Sequence, residues 1–502
     1  MNRTQEEATF MSMADIKTIQ RSQPSGSARW LALIILCAGF LMIVVDATIV
    51  NVALPSIQQD LGFSQAGLAW VVNAYMIAFA GLLLLSGRLG DLIGRKRIFM
   101  IGLAVFTSAS ILCGLSINQP MLIAARFIQG IGGAMSSAVI LGMIVTMFTE
   151  PGERARAMGI FAFIASAGAS IGLLAGGLIT QAISWHWIFF VNLPIGIATA
   201  LLAARFVEAD LALGLGQGAD WLGAFLVTVA LMLGVYGIVE SNTYGLGSIQ
   251  TIGFGGVAVL LLLAFVVRQT RVKNPILPLR LFRSRTLSLS NVIQGLMVVG
   301  MFGVFFLGSL DFERVLHYGP MAIGLAFLPV AVTMGALSAD GTARLIMRFG
   351  SQRVLIAGQV LIALALVVLA RGPVYGDYVR DLLLPMILMG VGGGLSFPAL
   401  AMLAMADATP ADSGTASGVL NTTAQVGGAL GIAVLATVST SRTTGLLAAG
   451  VGSAPALSAG YHLAWAIGAA LVLVSLVLAV TLLRPVATVA VEAPIEELEV
   501  PA

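Results

Sequence analysis

The feature that most restricts how this chain can fold is the recurrence of long apolar runs along almost its whole length. A helix rises 1.5 Å per residue, so roughly 20 apolar residues cross a hydrocarbon core of about 30 Å. With 58% hydrophobic and only 10% charged residues, the chain is predicted to be an all-α membrane protein. About fourteen transmembrane helices are predicted, near residues 30–55, 66–86, 98–117, 120–146, 158–181, 187–206, 221–240, 250–268, 286–310, 321–343, 353–370, 382–405, 415–440 and 461–483.

The distribution of Lys and Arg predicts the orientation in the membrane. Of the 26 basic residues, one lies within a span and nearly all the others fall in alternate loops on the side of the N-terminus. That bias predicts that both termini are cytoplasmic, and it explains the net charge of +3 without a nucleic-acid partner. The basic residues in the loops predicted to face outward are only Arg314, Arg371, Arg380 and Arg442.

An internal repeat suggests how the spans are grouped. The loop Gly87–Arg97 (GRLGDLIGRKR) follows the second span, and Ala343–Arg353 (ARLIMRFGSQR) follows the tenth, 256 residues later. The repeat predicts two six-helix halves with two helices inserted between them, a parallel arrangement found in many transporters. The predicted divisions are a cytoplasmic arm at 1–29, the N-terminal half at 30–206, an inserted pair with a basic connector at 207–285, the C-terminal half at 286–483, and a disordered acidic tail at 484–502.

Asp46 is the first candidate functional residue, because it is the only ionisable side chain in the first span. A carboxylate inside a span costs a few kcal/mol and usually faces a cavity, a partner or a proton path. Arg126, in the fourth span, is predicted at a similar depth, so the two side chains could meet. Two interpretations remain open: a structural buried ion pair, or a protonatable carboxylate that responds to pH.

The loop after the second span combines glycines with charges. Its glycines permit a tight turn between helices, and Asp91 can accept hydrogen bonds from arginines. A positively charged cytoplasmic loop is the simpler alternative. The candidate gate-loop residues are Gly87, Gly90, Asp91, Gly94, Arg95 and Arg97.

This loop resembles the signature of the major facilitator superfamily. Four further segments resemble the fourteen-span drug:proton antiporters of the EmrB/QacA type, and the likeness covers roughly residues 30–483. They are DATIVNVALPSI (Asp46–Ile57), WHWIFFVNLPIG (Trp185–Gly196), and GLAFLPVAV with SGTASGVLNTTAQVGGALG (Gly324–Val332 and Ser413–Gly431). The resemblance implies the major facilitator fold and multidrug efflux by proton-driven alternating access.

The resemblance also implies roles for single residues. An arginine at the position of Arg126 is expected to take part in proton coupling together with Asp46. The fifth span carries a run of small residues, where Leu173 replaces the proline that usually follows Gly172 in such antiporters. Small residues at this spacing also let two helices pack closely, which is sufficient physically. The residues of this helix-packing motif are Gly168, Gly172, Gly176 and Gly177.

The remaining ionisable residues receive weaker predictions. Asp340, near the end of the tenth span, is a candidate second proton site, although it precedes Arg344 by four residues, the spacing of a helical ion pair. Asp220 is expected to cap the seventh span. Solvation is expected for a group at span ends that comprises Glu240, Asp311, Glu313 and His317.

No phosphate-binding loop, metal-ligand cluster or nucleophile triad stands out, so neither an enzyme nor a cofactor or metal requirement is predicted. The protein is expected to be a monomer in the bacterial inner membrane. Its expected partners are small lipophilic, cationic substrates, protons and membrane lipids. Open alternatives are an exporter of one metabolite or antibiotic, a lipid or lysophospholipid transporter, and a non-transporting sensor or scaffold.

Overall fold

The computed structural model describes residues 26–148, 150–208, 214, 219–245, 247–337, 341–406 and 413–483. Three sequence predictions therefore fall outside the described residues. They concern most of the N-terminal arm, the acidic tail from 484 to 502, and the candidate proton site Asp340.

Helices make up all the regular structure in the described residues. A short helix, Thr342–Phe349, directly precedes the helix that begins at Ser351. The main helices are α1 (Gly26–Leu61), α2 (Gln65–Ile93), α3 (Arg95–Gly114), α4 (Gln119–Met147), α5 (Pro151–Ala182), α6 (Trp187–Phe206, interrupted at Val191), α7 (Trp221–Tyr244), α8 (Ile249–Arg271), α9 (Arg285–Arg314), α10 (Pro320–Ala336), α11 (Ser351–Leu369), α12 (Leu383–Met405), α13 (Ser413–Ala448) and α14 (Ser453–Thr481).

Twelve helices in the described residues are long and apolar enough to cross a membrane. Two further helices, α5 and α10, are not among these twelve, because their apolar stretches, Ala167–Ala182 and Pro320–Ala336, are shorter. Each predicted span overlaps one of the helices α1 to α14. The chain is thus an all-helical, multi-pass membrane protein, and the count of fourteen spans stays a prediction.

Helix ends follow from local turn chemistry. Ser64, Asn118 and Ser248 each precede a helix and accept a hydrogen bond from a backbone N–H of its first turn. Gly94 and Gly350 join α2 to α3 and the short helix to α11, with φ of 103° and 83°. Because such positive φ values favour glycine, the two repeated loops use the same turn residue at equivalent places.

We call helices α1–α6 the N-terminal bundle and helices α9–α14 the C-terminal bundle. One pair of helices in each bundle shows the same close packing. In α3 and α4, a Cβ on Gly102 would overlap the side chain of Ser136. In α11 and α12, a Cβ on Gly358 would overlap Ser396 in the same way. Close approach of the paired helices therefore depends on a glycine at matching positions of α1–α6 and α9–α14.

The helix ends define two faces. The basic face carries the arginine-rich turns near residues 94, 272–284 and 350, and the opposite face carries the turns near 62–64, 115–118 and 315–319. At the opposite face Gln65 Nε2 on α2 donates to Ser439 Oγ on α13 at 3.1 Å. There, too, the backbone N–H of Met321 on α10 donates to Gln181 Oε1 on α5 at 3.2 Å. The two bundles are hydrogen-bonded to each other at this face.

The inserted pair, α7 and α8, lies against the seam between the bundles. The side chain of Thr228 on α7 occupies the space that a Cβ of Gly81 on α2 would need. Thr437 Oγ1 on α13 donates to the Ile238 carbonyl of α7 at 3.2 Å. α7 thus contacts one helix of each bundle, whereas α8 packs mainly on α7 and leaves most of its surface exposed.

Candidate functional site

The structure brings Asp46 of α1 and Arg126 of α4 into direct contact. Arg126 Nη1 donates to Asp46 Oδ2 at 2.7 Å, and the side chains are 2% and 0% exposed for Arg126 and Asp46. The two residues lie 80 positions apart in sequence. The similar depth predicted for them therefore corresponds to an ion pair between two helices.

Two amide side chains complete the coordination of Asp46. Gln129 Nε2 and Asn192 Nδ2 donate to Asp46 Oδ1 at 2.7 Å and 2.9 Å. Arg126 Nη1 also donates to Gln129 Oε1 at 2.6 Å, and Ser110 Oγ accepts from Asn192 at 3.0 Å. We call these five residues of α1, α3, α4 and α6 the acid–arginine cluster.

Arg126 is held by more than its ion pair. Its Nε donates to the Val71 carbonyl of α2 at 3.0 Å. Its guanidinium carbon lies 4.4 Å from the centre of the Tyr75 ring, a distance typical of a cation–π contact. A second ring, that of Phe189, lies 5.8 Å away. The arginine is thus fixed from three sides and has little freedom to follow a moving partner.

Sequence reasoning found two members of the cluster and missed three. Gln129 follows Arg126 by three residues, which places both on one face of α4. Ser110 and Asn192 are polar residues within apolar runs, as Asp46 is. Uncharged side chains carry a weaker signal than a carboxylate, because Ser and Asn inside a helix can also bond to the backbone.

The cluster includes one buried acceptor that is not in use. Asn192 Oδ1 has no hydrogen-bond partner among the described residues, although Nδ2 of the same amide bonds to Asp46 and to Ser110. A buried polar atom without a partner is uncommon and costs about 1–3 kcal/mol. The arrangement is therefore one that a change in the protonation of Asp46 could alter.

Among the described residues of the C-terminal bundle, no acid–arginine pair corresponds to this cluster. Met386 and Met389 on α12 stand at the spacing from Ser396 that Arg126 and Gln129 on α4 have from Ser136. Both methionines are buried. Thus the paired helices pack alike in the two bundles, while the polar groups at this depth occur in the N-terminal one.

The gate loop holds its charges within the N-terminal bundle. Arg95 Nη2 pairs with Asp91 Oδ1 at 3.0 Å, and its Nη1 donates to the Gly142 carbonyl of α4 at 3.0 Å. A Cβ on Gly90 would contact Val139 at 2.5 Å, so this glycine allows α2 and α4 to approach. Gly87 is less confined, Gly94 supplies the turn, and Arg97 is exposed.

The small residues of α5 face two different helices. Gly168, Gly172 and Gly176 face α1, and a Cβ on Gly172 would overlap the side chain of Thr48. Gly177 faces the start of α10, where its Cβ would lie 2.8 Å from the Met321 Cα. The motif therefore packs α5 between its own bundle and the other one.

Two acids outside the cluster are buried. Asp220 caps α7 by accepting from the Gly223 N–H, as expected, and also accepts from Arg268 Nε at 2.6 Å and Gln269 Nε2 at 2.7 Å. Burial by itself would raise the pKa of Asp220, but these hydrogen bonds and the Arg268 charge lower it below its usual value. Asp311, for which solvation was expected, is only 8% exposed, because the end of α9 is covered by neighbouring helices.

With this geometry in place, comparison with known proteins gives the family. Residues 36–432 match the profile of the Major Facilitator Superfamily. The chain belongs to the major facilitator superfamily. It is 38% identical over 459 residues to the puromycin resistance protein pur8 of Streptomyces alboniger, covering 90% of each chain. It is 39% identical over 417 residues to the cephamycin export protein CmcT of Amycolatopsis lactamdurans, covering 82% of this chain and 86% of the relative.

A solved structure supports the same fold. An auto-inhibited peptide transporter of the POT family superposes with a TM-score of 0.66 at 15% identity, covering 91% of this chain and 98% of that chain. At this identity the likeness concerns the fold alone. Family and fold together make the chain a multi-pass membrane protein of a transporter family rather than an enzyme.

Proposed function

We propose that the protein is a proton-driven exporter of lipophilic drugs, of the fourteen-span EmrB/QacA type, in the bacterial plasma membrane. The basic face is assigned to the cytoplasm, with both termini on that side, because basic loops favour it. The names of the antibiotic-resistance and antibiotic-export relatives support the substrate class. The fourteen helices α1 to α14 support the span count.

The observation that carries the proposal is the acid–arginine cluster. Asp46 is a buried carboxylate whose three hydrogen-bond donors come from side chains on two other helices. Intramembrane acids of this kind are expensive and typically serve a proton or substrate pathway. A purely structural pair would be replaceable by apolar residues, as Met386 and Met389 illustrate in the other bundle.

Protonation of Asp46 would change every contact in the cluster. A neutral carboxyl loses its charge-assisted bond to Arg126, and such bonds contribute about 1.5–3 kcal/mol. Its new O–H also needs an acceptor. Asn192 Oδ1, buried and without a partner, supplies one if the Asn192 amide turns over. We therefore assign Asn192 as the group that receives the proton's hydrogen bond and couples α1 to α6.

The conformational cycle follows from where the bundles meet. At the opposite face the bundles are joined by the Gln65–Ser439 and Met321–Gln181 hydrogen bonds. Opening toward that face must break both bonds and separate α5 from α10. In the proposed cycle, protonation of Asp46 loosens α1 and α6 and permits that opening. Substrate taken up from the basic face would then be released in exchange for protons.

Crosslinking across the opposite face tests this cycle. Gln65→Cys with Ser439→Cys, joined by a cleavable bis-methanethiosulfonate reagent, should stop transport, and reduction should restore it. Both native cysteines, Cys37 and Cys113, are buried and should not react. Either single cysteine variant is the control. Transport that continues at full rate in the crosslinked protein would contradict opening at this face.

The range of substrates is the part of the proposed function for which another interpretation is best supported. The two relatives described above are named for single antibiotics, which supports a narrow exporter as the alternative. The 21 methionines of the chain favour adaptable binding of lipophilic compounds, because the thioether side chain fits irregular shapes. A lipid exporter would instead leave drug sensitivity unchanged.

A susceptibility panel in a pump-deficient host separates these functions. Lipophilic cations, dyes, puromycin and a β-lactam should be tested with and without an uncoupler. We expect protection against several lipophilic compounds that the uncoupler abolishes, and loss of that protection in Asn192→Leu with normal expression. Protection against one compound alone would support the narrow exporter. Protection that survives uncoupling would exclude a proton-driven mechanism.

A further inference from the structure

A buried carboxylate outside the acid–arginine cluster has no place in the mechanism above. Asp311 lies in the last turn of α9 in the C-terminal bundle and is 8% exposed. Its side chain makes no hydrogen bond or ion pair with any described residue, and Val315 and Leu316 contact its backbone carbonyl only. An ionised carboxylate buried without a partner is strongly disfavoured.

The other buried acids show how unusual this is. Asp46 accepts three side-chain hydrogen bonds, including one from Arg126. Asp220 accepts from Arg268, from Gln269 and from a backbone N–H. Each of these two buried carboxylates is thus surrounded by hydrogen-bond donors. Asp311 lacks them, which is the environment of a neutral carboxylic acid.

A cavity lies about one helical turn from Asp311 along α9. This cavity, of about 590 Å³, opens at the opposite face between α1, α9 and α14, and Arg314 and Glu313 of α9 are part of its lining. Asp311 precedes Arg314 by three residues, so it lies on the same side of α9, one turn further from the helix end. Pro55 and Gln59 of α1 close the other side of the cavity. The cavity therefore lies between the two bundles.

Neighbouring polar groups on α14 add a second observation. Tyr461 Oη and Trp465 Nε1 are both buried; Trp465 Nε1 has no hydrogen-bond partner among the described residues, and the Tyr461 hydroxyl lies beside Arg314 of α9. The Tyr461 hydroxyl interacts electrostatically with Asp311, Arg314 and Glu313, so these groups lie close together. The end of α9 and the facing part of α14 thus form a polar site whose hydrogen-bonding capacity is not filled.

We propose that Asp311 is a second proton-binding site, which takes up and releases its proton through the cavity at the opposite face. A neutral carboxyl needs no counterion, which matches the surroundings of Asp311. When it ionises, Arg314 is the nearest cation along the helix. The proton site rests on the burial of Asp311, whereas its use in transport rests on the proposed function.

Other groups at this end of the molecule titrate as well and must be separated from Asp311. They lie on α9 itself or on the elements packed against it, namely Glu313, Arg314, His317, Tyr318, Asp60, Arg371, Asp377, Tyr378, Arg380, Asp381, Arg442, Tyr461 and His462. Only a carboxyl shielded from water gives a protonated C=O band distinct from that of a solvated acid. Infrared spectroscopy therefore resolves Asp311 from the exposed acids of this group.

The test is a pH titration of the full chain in liposomes by difference infrared spectroscopy, without substrate. We expect Asp311→Asn to remove one band of a buried protonated carboxyl, and Asp311→Glu to keep a band with a shifted pH midpoint. Glu240→Gln, which removes an acid at the same face on α7, should leave the band of the buried protonated carboxyl unchanged. A wild-type spectrum reproduced by Asp311→Asn would overturn the proposal. If Asp311→Asn does not fold, an unshifted midpoint in Asp311→Glu would overturn it instead.

A second measurement asks whether the site serves transport. Binding of tetraphenylphosphonium, which carries no titratable proton, should release fewer protons from Asp311→Asn than from the wild type in weakly buffered solution. Equal release with an altered infrared spectrum would leave the proton site standing and remove its role in coupling. No release from any variant would count against the proposed function, while the infrared result would still decide the proton site.

Discussion

Replacing Asp46 by Asn tests the acid–arginine cluster most directly. The carboxylate accepts from Arg126, Gln129 and Asn192. An Asn side chain offers one oxygen and one NH₂ group, so at least one of the three donors would face another donor. The Arg126 charge would also remain buried without its counterion. The structure thus predicts a stability cost, although an amide is itself easier to bury than a carboxylate.

The size of that cost follows from the geometry. Removing one partner of a buried ion pair costs about 3–5 kcal/mol, because the other charge is left uncompensated. Arg126→Met should cost a similar amount. The double variant Asp46→Asn/Arg126→Met should recover much of the lost stability, since Met386 shows that α12 packs a methionine at the corresponding position. We expect an interaction free energy of about 2–3 kcal/mol from the double-mutant cycle.

The assay has two readouts. Thermal unfolding of the purified variants measures the cycle, and substrate-driven proton movement in proteoliposomes measures coupling. Asp46→Asn should abolish proton movement, Asp46→Glu should retain part of it with a shifted pH optimum, and the double variant should be stable but uncoupled. Additive stability losses would refute the ion-pair reasoning. Undiminished proton movement in Asp46→Asn would move the coupling role to another acid, with Asp340 next to test.

Three further predictions concern residues outside the cluster. Asp91→Asn should slow efflux and lower stability by no more than about 0.2–1 kcal/mol, because its pair with Arg95 is partly exposed; a normal efflux rate at normal expression would reduce Asp91 to a topological role. Gly172→Ala should cost about 1–3 kcal/mol by overpacking against α1, whereas Gly253→Ala on α8, where nothing lies within 4 Å, should be neutral; equal melting temperatures would contradict the close packing. Asp220→Asn should lower the melting temperature at pH 7. Because folding lowers the pKa of Asp220, its contribution is complete above the unfolded value of about 3.9 and is lost as pH falls through the folded pKa, so a gap that does not narrow as the pH falls from 7 to below the folded pKa would contradict it.

The sequence predicted the ion pair because depth along a span can be read from residue counts. Asp46 and Arg126 were placed at similar distances from the same membrane surface, and the structure joins them at 2.7 Å. The sequence did not predict Asn192 as a member of the acid–arginine cluster, since nothing in a linear sequence says which face of α6 turns toward α1. Polar contacts between helices depend on rotation about each helix axis, which apolar periodicity alone does not fix.

For Asp311, position along the chain was misleading. A carboxylate at the end of a predicted span would ordinarily reach water. Here α14 brings the buried Tyr461 and Trp465 against this end, and Asp311 is enclosed by protein rather than by lipid. Burial of that kind depends on contacts between helices that are about 150 residues apart. A hydropathy profile reports membrane burial and carries no information on such contacts.

The difference between the bundles links the two proposed proton sites. The N-terminal bundle buries a compensated carboxylate in the middle of its helices, and the C-terminal bundle places Met386 and Met389 there. Its own buried acid, Asp311, lies instead beside the cavity where the bundles meet at the opposite face. If both acids exchange protons, one does so inside a bundle and the other at the contact that must open. Protonation of Asp46 would then change packing within the N-terminal bundle, while ionisation of Asp311 would favour entry of water between the bundles.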